Sequence, residues 1–149
     1  MAAVIALACG ESAQPSCTGA TCACQDSNCA CTGGASCDII CGTFPRCNAS
    51  CTNVGQCNAV CRDDCTGKCT SGDTCTMQCN DNCNYDCSNS KACVVNTGNG
   101  STIDCTNTGT CKVTCAGKCT VKGCSGSCQI SCQASDGSAQ SDPSNQSGC

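Results

Sequence analysis

The sequence predicts an all-β chain: a narrow two-sheet β-solenoid with coils of about 18 residues, each ribbed by disulfides of its own. Three observations lead there. Cysteine fills 27 of 149 positions, the cysteines recur on a fixed period, and their spacing within each period suits an extended chain. From Cys57 the pattern runs C-x3-C-x3-C-x3-C-x5 through Cys61, Cys65 and Cys69, then repeats at Cys75, Cys79, Cys83 and Cys87. The next unit keeps Cys93 and Cys105, and the one after has Cys111, Cys115, Cys119 and Cys124. Upstream, Cys37, Cys41, Cys47 and Cys51 form the same unit with two extra residues. A unit this short buries an inner face only by stacking on its neighbours.

Each coil is numbered here from its first cysteine. Even spacings place side chains on one face of an extended chain. Position 3 holds Ile39, Ala59, Met77, Val95, Val113 and Ile130, and position 11 holds Ala49, Gly67, Tyr85, Ile103 and Val121. Positions 1, 3, 5 and 9, 11, 13 are therefore expected to face inward as two short strands. Turn residues separate them, as in Arg62-Asp63-Asp64, Asn80-Asp81-Asn82, Gly98-Asn99-Gly100 and Ala116-Gly117-Lys118. The other connection opens with Thr or Ser after the cysteine, at Thr32, Thr52, Thr70, Ser88, Thr106 and Ser125. Those hydroxyls are expected to cap the turn.

Folding one coil flat sets position 1 opposite 13 and 5 opposite 9. The pairs expected are Cys57–Cys69 with Cys61–Cys65, Cys75–Cys87 with Cys79–Cys83, Cys37–Cys51 with Cys41–Cys47, and Cys111–Cys124 with Cys115–Cys119. In the Cys93 coil, positions 5 and 9 are Thr97 and Ser101; both partners are lost together, leaving Cys93–Cys105. The segment CACQDSNCAC reads as a shorter coil with Cys22–Cys31 and Cys24–Cys29. Cys17, Cys128, Cys132 and Cys149 have no clear partner.

Composition excludes several function classes. Histidine is absent, and no Ser or Cys stands beside a credible base, so no catalytic residue and no enzyme activity are expected. Seven Lys and Arg, placed singly in a chain of net charge −4, give no basic stripe for nucleic acid. Phe44 and Tyr85 are the only aromatics, so covalent bonds must supplement a small apolar core. Disulfides on this scale point to an oxidising compartment. A thiolate metal protein is the alternative, since CxC pairs such as Cys22/Cys24 and Cys29/Cys31 resemble metallothioneins. Strand-like apolar residues between cysteines and the joint loss at Thr97 and Ser101 favour disulfides, with no metal and no cofactor.

Near the start, Ile5-Ala6-Leu7-Ala8-Cys9 resembles a relaxed lipoprotein lipobox, which implies lipid attachment at Cys9. The expected organisation is a truncated signal at 1–8, a linker at 9–16, the ribbed solenoid at 17–132 and a disordered polar tail at 133–149. With these features the chain resembles the cysteine-rich repeat lipoproteins of some bacteria. That implies export to the cell envelope or beyond, membrane contact only through the lipid, and a structural or interaction role. The open ends and flat faces of such a stack also suit end-to-end or lateral self-association.

Segments such as DCSNSKACVVNT and CTNTGTC resemble the repeats of beetle-type hyperactive antifreeze proteins, which implies ice binding as a second alternative. The Thr/Ser column is regular, but Ser50, Lys68, Asp86 and Asp104 stand before the cysteines where that family's second threonine would be.

Overall fold

The computed structural model describes residues 14–19 and 21–133, and the backbone of 139–141. The described residues form β1 (Ser16–Gly19), β2 (Cys22–Gln25), β3 (Asn28–Thr32), β4 (Ser36–Ile40), β5 (Asn48–Thr52), β6 (Gln56–Val60), β7 (Thr66–Thr70) and β8 (Thr74–Gln78). Then follow β9 (Asn84–Asp86), β10 (Ala92–Thr97), β11 (Ser101–Asp104), β12 (Thr110–Cys115), β13 (Cys119–Lys122), β14 (Ser127–Gln133) and β15 (Ala139–Ser141). Consecutive strands from β3 to β14 alternate between two sheets, one ordered β1-β4-β6-β8-β10-β12-β14-β15 and the other β13-β11-β9-β7-β5-β3-β2. This is a β-solenoid, as the repeat predicts.

Inside each sheet the coils stack in parallel, with like positions in register. Cys57 pairs with Cys75, Cys75 with Cys93 and Cys93 with Cys111. The last coil is one residue short, because Cys111 aligns with Cys128. Gly123 absorbs the change with φ of 68°, and a side chain there would collide with the Thr106 backbone. Three strand pairings are antiparallel: β1 covers the edge of β4, β2 that of β3, and β15 that of β14. Such end strands close edges that would otherwise offer free backbone groups to other chains. Residues 139–141, expected in a disordered tail, thus belong to the first sheet.

Between the two edges the core is a pair of facing columns of side chains, one from each sheet. Ile39, Ala59, Met77, Val95, Val113 and Ile130 stack along one sheet, and Cys29, Ala49, Gly67, Tyr85, Ile103 and Val121 along the other. All of these except glycine rank among the buried apolar residues. Met77 and Tyr85 are a bulky pair to place between sheets that disulfides hold close at both edges. The structure accommodates it by sharing space between coils: a Cβ on Gly67 would fall within the Tyr85 ring and against the Met77 sulfur. Tyr85 fills the gap left by the Ala59/Gly67 coil beneath it.

The disulfides lie at the two narrow edges, and many differ from the expected pairs. Cys24–Cys29, Cys41–Cys47, Cys79–Cys83 and Cys115–Cys119 are joined as the spacing suggests. Cys57–Cys69, Cys75–Cys87, Cys37–Cys51, Cys93–Cys105 and Cys111–Cys124 are not formed. Instead the chain joins Cys31–Cys37, Cys51–Cys57, Cys69–Cys75, Cys87–Cys93, Cys105–Cys111 and Cys124–Cys128. Cys22–Cys31 is replaced as well, since Cys22 bonds Cys17. In the β2–β3 hairpin Cys22 and Cys31 are side by side in one sheet, and both reach across to the other sheet.

The physical reason is common to both edges. Each of these eleven bonds spans its own turn, linking residues four to six apart with Cα atoms 4.1 to 6.6 Å from each other. A turn delivers its two ends side by side, within about the 4.4–6.8 Å reach of a disulfide. Pairing position 13 with position 1 of its own coil would reach back one rung. The bonds at the C-x5-C edge therefore staple each coil to the next.

Candidate functional site

The C-x3-C edge carries the one chemically open feature among the described residues. Read along the stack, its rungs are Cys41–Cys47, then Cys61 with Cys65, then Cys79–Cys83, Thr97 with Ser101, and Cys115–Cys119. Two of these rungs depart from the disulfide rule. Thr97 Oγ1 and Ser101 Oγ lie 2.7 Å apart in a hydrogen bond that stands where the neighbouring coils have a disulfide. The hydroxyls are built into a relay: the Cys83 amide donates to Ser101 Oγ at 3.1 Å, and Thr97 Oγ1 donates to the Asn80 carbonyl at 3.4 Å.

Cys61 and Cys65, expected as a disulfide, are both free thiols and both buried. Their surroundings explain their chemistry. Cys61 Sγ is 3.3 Å from Cys41 Sγ in the rung below. The Tyr85 hydroxyl, leaning over Gly67 from the coil above, touches Cys61 and donates to the Gln78 carbonyl at 3.3 Å. The Cys65 thiol is pushed down to about 7, first because Cys61 donates a hydrogen bond to its sulfur, with burial opposing. Cys61 is pushed up, by that same bond and by burial. The two thiols therefore titrate as a coupled pair, with Cys65 the first to ionise. Burial likewise pushes the Tyr85 phenol up, keeping it a donor.

Cys61 also borders an open groove of about 420 Å³ along this edge, together with Val60, Gln78, Cys79, Asn96 and Thr97. The groove crosses successive coils, because these residues occupy equivalent positions in adjacent strands.

Sulfur crowding bears on the metal alternative. Four triads of cysteine sulfurs lie within 4.8 Å of one another, Cys17/Cys22/Cys31, Cys31/Cys37/Cys51, Cys41/Cys47/Cys61 and Cys111/Cys124/Cys128. Each contains one disulfide, so its sulfurs are not a set of free thiolates. A metal ion needs the thiolate form.

The other sequence candidates serve turns. Asp63, Asp81 and Asn99 form a ladder in which each side chain accepts an amide of the next coil: Asp81 N at 3.2 Å, Asn99 N at 2.5 Å and Lys118 N at 2.9 Å. In the Thr/Ser column the capping group is partly the residue before the cysteine. Asp86 accepts the Ser88 amide at 2.9 Å, and Asp104 accepts both the amide and the hydroxyl of Thr106. On the inner side of the same turns, the Thr108 hydroxyl donates to the Cys87 carbonyl at 2.9 Å and that of Ser90 to the Cys69 carbonyl at 3.1 Å. Neither buried hydroxyl is signalled by the cysteine spacing. Cys132 is disulfide-bonded, while Cys9 and Cys149 lie outside the described residues.

No protein-family model, curated protein or solved structure matches the chain.

Proposed function

We propose that the chain is a structural or interaction module of the bacterial cell envelope, exported, held at the membrane by lipid on Cys9, and without catalytic activity. The observation that carries this reading is the covalent frame: disulfides line both edges of a stack whose core is only two facing columns of side chains. Such bonds persist in oxidising compartments outside the cytosol. Stability comes from cross-links and shared rungs, which suits a rod exposed to a harsh medium. Its faces offer contacts to partners or to further copies. Ile40 and Val60, adjacent in the first sheet and 52% and 43% exposed, form a small apolar patch on one of them.

The charge pattern supports the exclusion of nucleic acid. Lys68, Asp86, Asp104 and Lys122 succeed one another along the second sheet, so two acidic residues stand between two lysines and the column forms no basic stripe. The same column argues against ice binding, because strongly hydrated charges interrupt the face between the outer Thr and Asn residues.

The test is lipid labelling of the natural precursor in bacterial cells. Incorporation of labelled palmitate in the wild type and its loss in Cys9→Ser, with the protein fractionating with membranes, is the expected result. A cytosolic protein with most cysteines reduced and several bound metal ions would replace this reading with the metallothionein-like one.

A further inference from the structure

The free pair at one edge is a position in a repeated device, and its neighbours show what that device can do. Cys79–Cys83 and Cys115–Cys119 close the same C-x3-C turn with Cα separations of 6.6 and 6.2 Å. The turn holding Cys61 and Cys65 has the same spacing and the same stacking, so it can hold a bond as well. In the structure it is open, and it is the one pair of free thiols among the described residues. Cys61 is among the residues lining the groove and is 6% exposed, whereas Cys65 does not line it and is 1% exposed. A thiol at the groove wall and a second thiol across its own turn make a two-electron donor.

We infer that Cys61 and Cys65 are a redox-active dithiol that reduces low-molecular-weight disulfides entering the groove along the C-x3-C edge. The chemistry balances without a further reactant. The Cys61 sulfur attacks one sulfur of the incoming disulfide, RSSR. Its S–S bond breaks, a Cys61–SR mixed disulfide forms, and the first RS⁻ leaves and takes up the proton already lost from Cys65. The Cys65 sulfur then attacks Cys61 Sγ, forming Cys61–Cys65 and expelling the second RS⁻, which takes up the Cys65 proton. Two thiols are oxidised and one external disulfide becomes two RSH. Because Cys65 is the sulfur pushed down and Cys61 the one pushed up, the Cys61 proton passes to Cys65 as Cys61 attacks, a short step between two neighbouring sulfurs. Each chain donates once until it is reduced again, so the step is stoichiometric.

A competing acceptor is built in. Cys41 Sγ, 3.3 Å from Cys61, belongs to a disulfide, and attack there would open Cys41–Cys47 and move the free thiol to Cys47. The site in the groove is distinguished from this internal shuffle by which cysteines end up free.

The experiment uses the full chain, with bis(2-hydroxyethyl) disulfide as the probe and intact mass with alkylation mapping as the readout. Before exposure, alkylation should mark Cys61 and Cys65. After it, that labelling should vanish, the mass should fall by two hydrogens, and two equivalents of 2-mercaptoethanol should appear per chain. Cys65→Ser should instead retain one adduct on Cys61 and release one equivalent, and Cys61→Ser should react at least tenfold more slowly. Chains purified with the pair already closed should regain the Cys61 and Cys65 thiols first when a dithiol reductant is titrated in. Labelling at Cys47, a lasting adduct on the wild type, an inert pair, or any other disulfide opening first would overturn the inference.

Discussion

Replacing Thr97 and Ser101 together with cysteine asks whether the polar rung stands in for a disulfide. The positions are four residues apart, like Cys79–Cys83 and Cys115–Cys119 in the flanking coils, whose Cα separations of 6.6 and 6.2 Å fall within disulfide reach. Closing a loop of this length is worth about 2 kcal/mol in the chain-entropy treatment. Against that gain, the relay from the Cys83 amide through both hydroxyls to the Asn80 carbonyl is lost. Each neutral hydrogen bond removed costs about 1 kcal/mol, and more where a buried partner is left unsatisfied. Thr97→Cys and Ser101→Cys singly should therefore destabilise by about 1–3 kcal/mol each. The double variant should return to within about 1 kcal/mol of the wild type, giving a favourable coupling of at least about 1 kcal/mol. Guanidinium unfolding without reductant measures these values, and intact mass reports whether the two hydrogens are gone. A double variant that keeps both thiols, or whose loss equals the sum of the singles, refutes the equivalence of the rungs.

Further outcomes follow from other parts of the stack. Gly67→Ala should cost about 1–3 kcal/mol by overpacking against Tyr85 and Met77, and shortening Tyr85 to leucine in the same chain should recover part of it. Peptide mapping without reduction should recover Cys69–Cys75 and Cys87–Cys93, and finding Cys57–Cys69 would reject the edge pairing described here. Asp104→Ala should lower stability by about 0.5–2 kcal/mol, by analogy with helix caps, because both Thr106 donors lose their acceptor. Alkylation of the Cys61/Cys65 pair should speed up as pH rises through about 7, since the thiolate is the reactive form and Cys65 is pushed down to that value. A midpoint at the ordinary thiol value would show that Cys61 donates no hydrogen bond to Cys65.

The sequence by itself determined the coil. Cysteines at even spacings, an apolar residue between them and turn residues at a fixed period leave few alternatives to stacked short strands, and the register of Ile39, Ala59, Met77 and Val95 follows that period. Cys79–Cys83 and Cys115–Cys119 are legible for the same reason, because a three-residue turn leaves its two ends facing each other, whereas the identical spacing at Cys61 and Cys65 gives no sign that this pair stays open. Tertiary structure decided the rest. Position 13 has two cysteines within plausible reach, one at the start of its own coil and one at the start of the next, and both fall on the inward face that the even spacings define. The joint loss at Thr97 and Ser101 tests the other edge, so it carries no information about Cys87, Cys93, Cys105 and Cys111. The path of the C-x5-C turn settles that choice by bringing Cys69 to Cys75. Neighbouring coils likewise decided the site: in the sequence Gly67 is one inward position among others, yet in the stack it makes room for Tyr85, whose hydroxyl then meets Cys61. A linear pattern records which residues face inward, whereas contacts between coils depend on volumes eighteen residues apart, and those are expressed only when the stack forms.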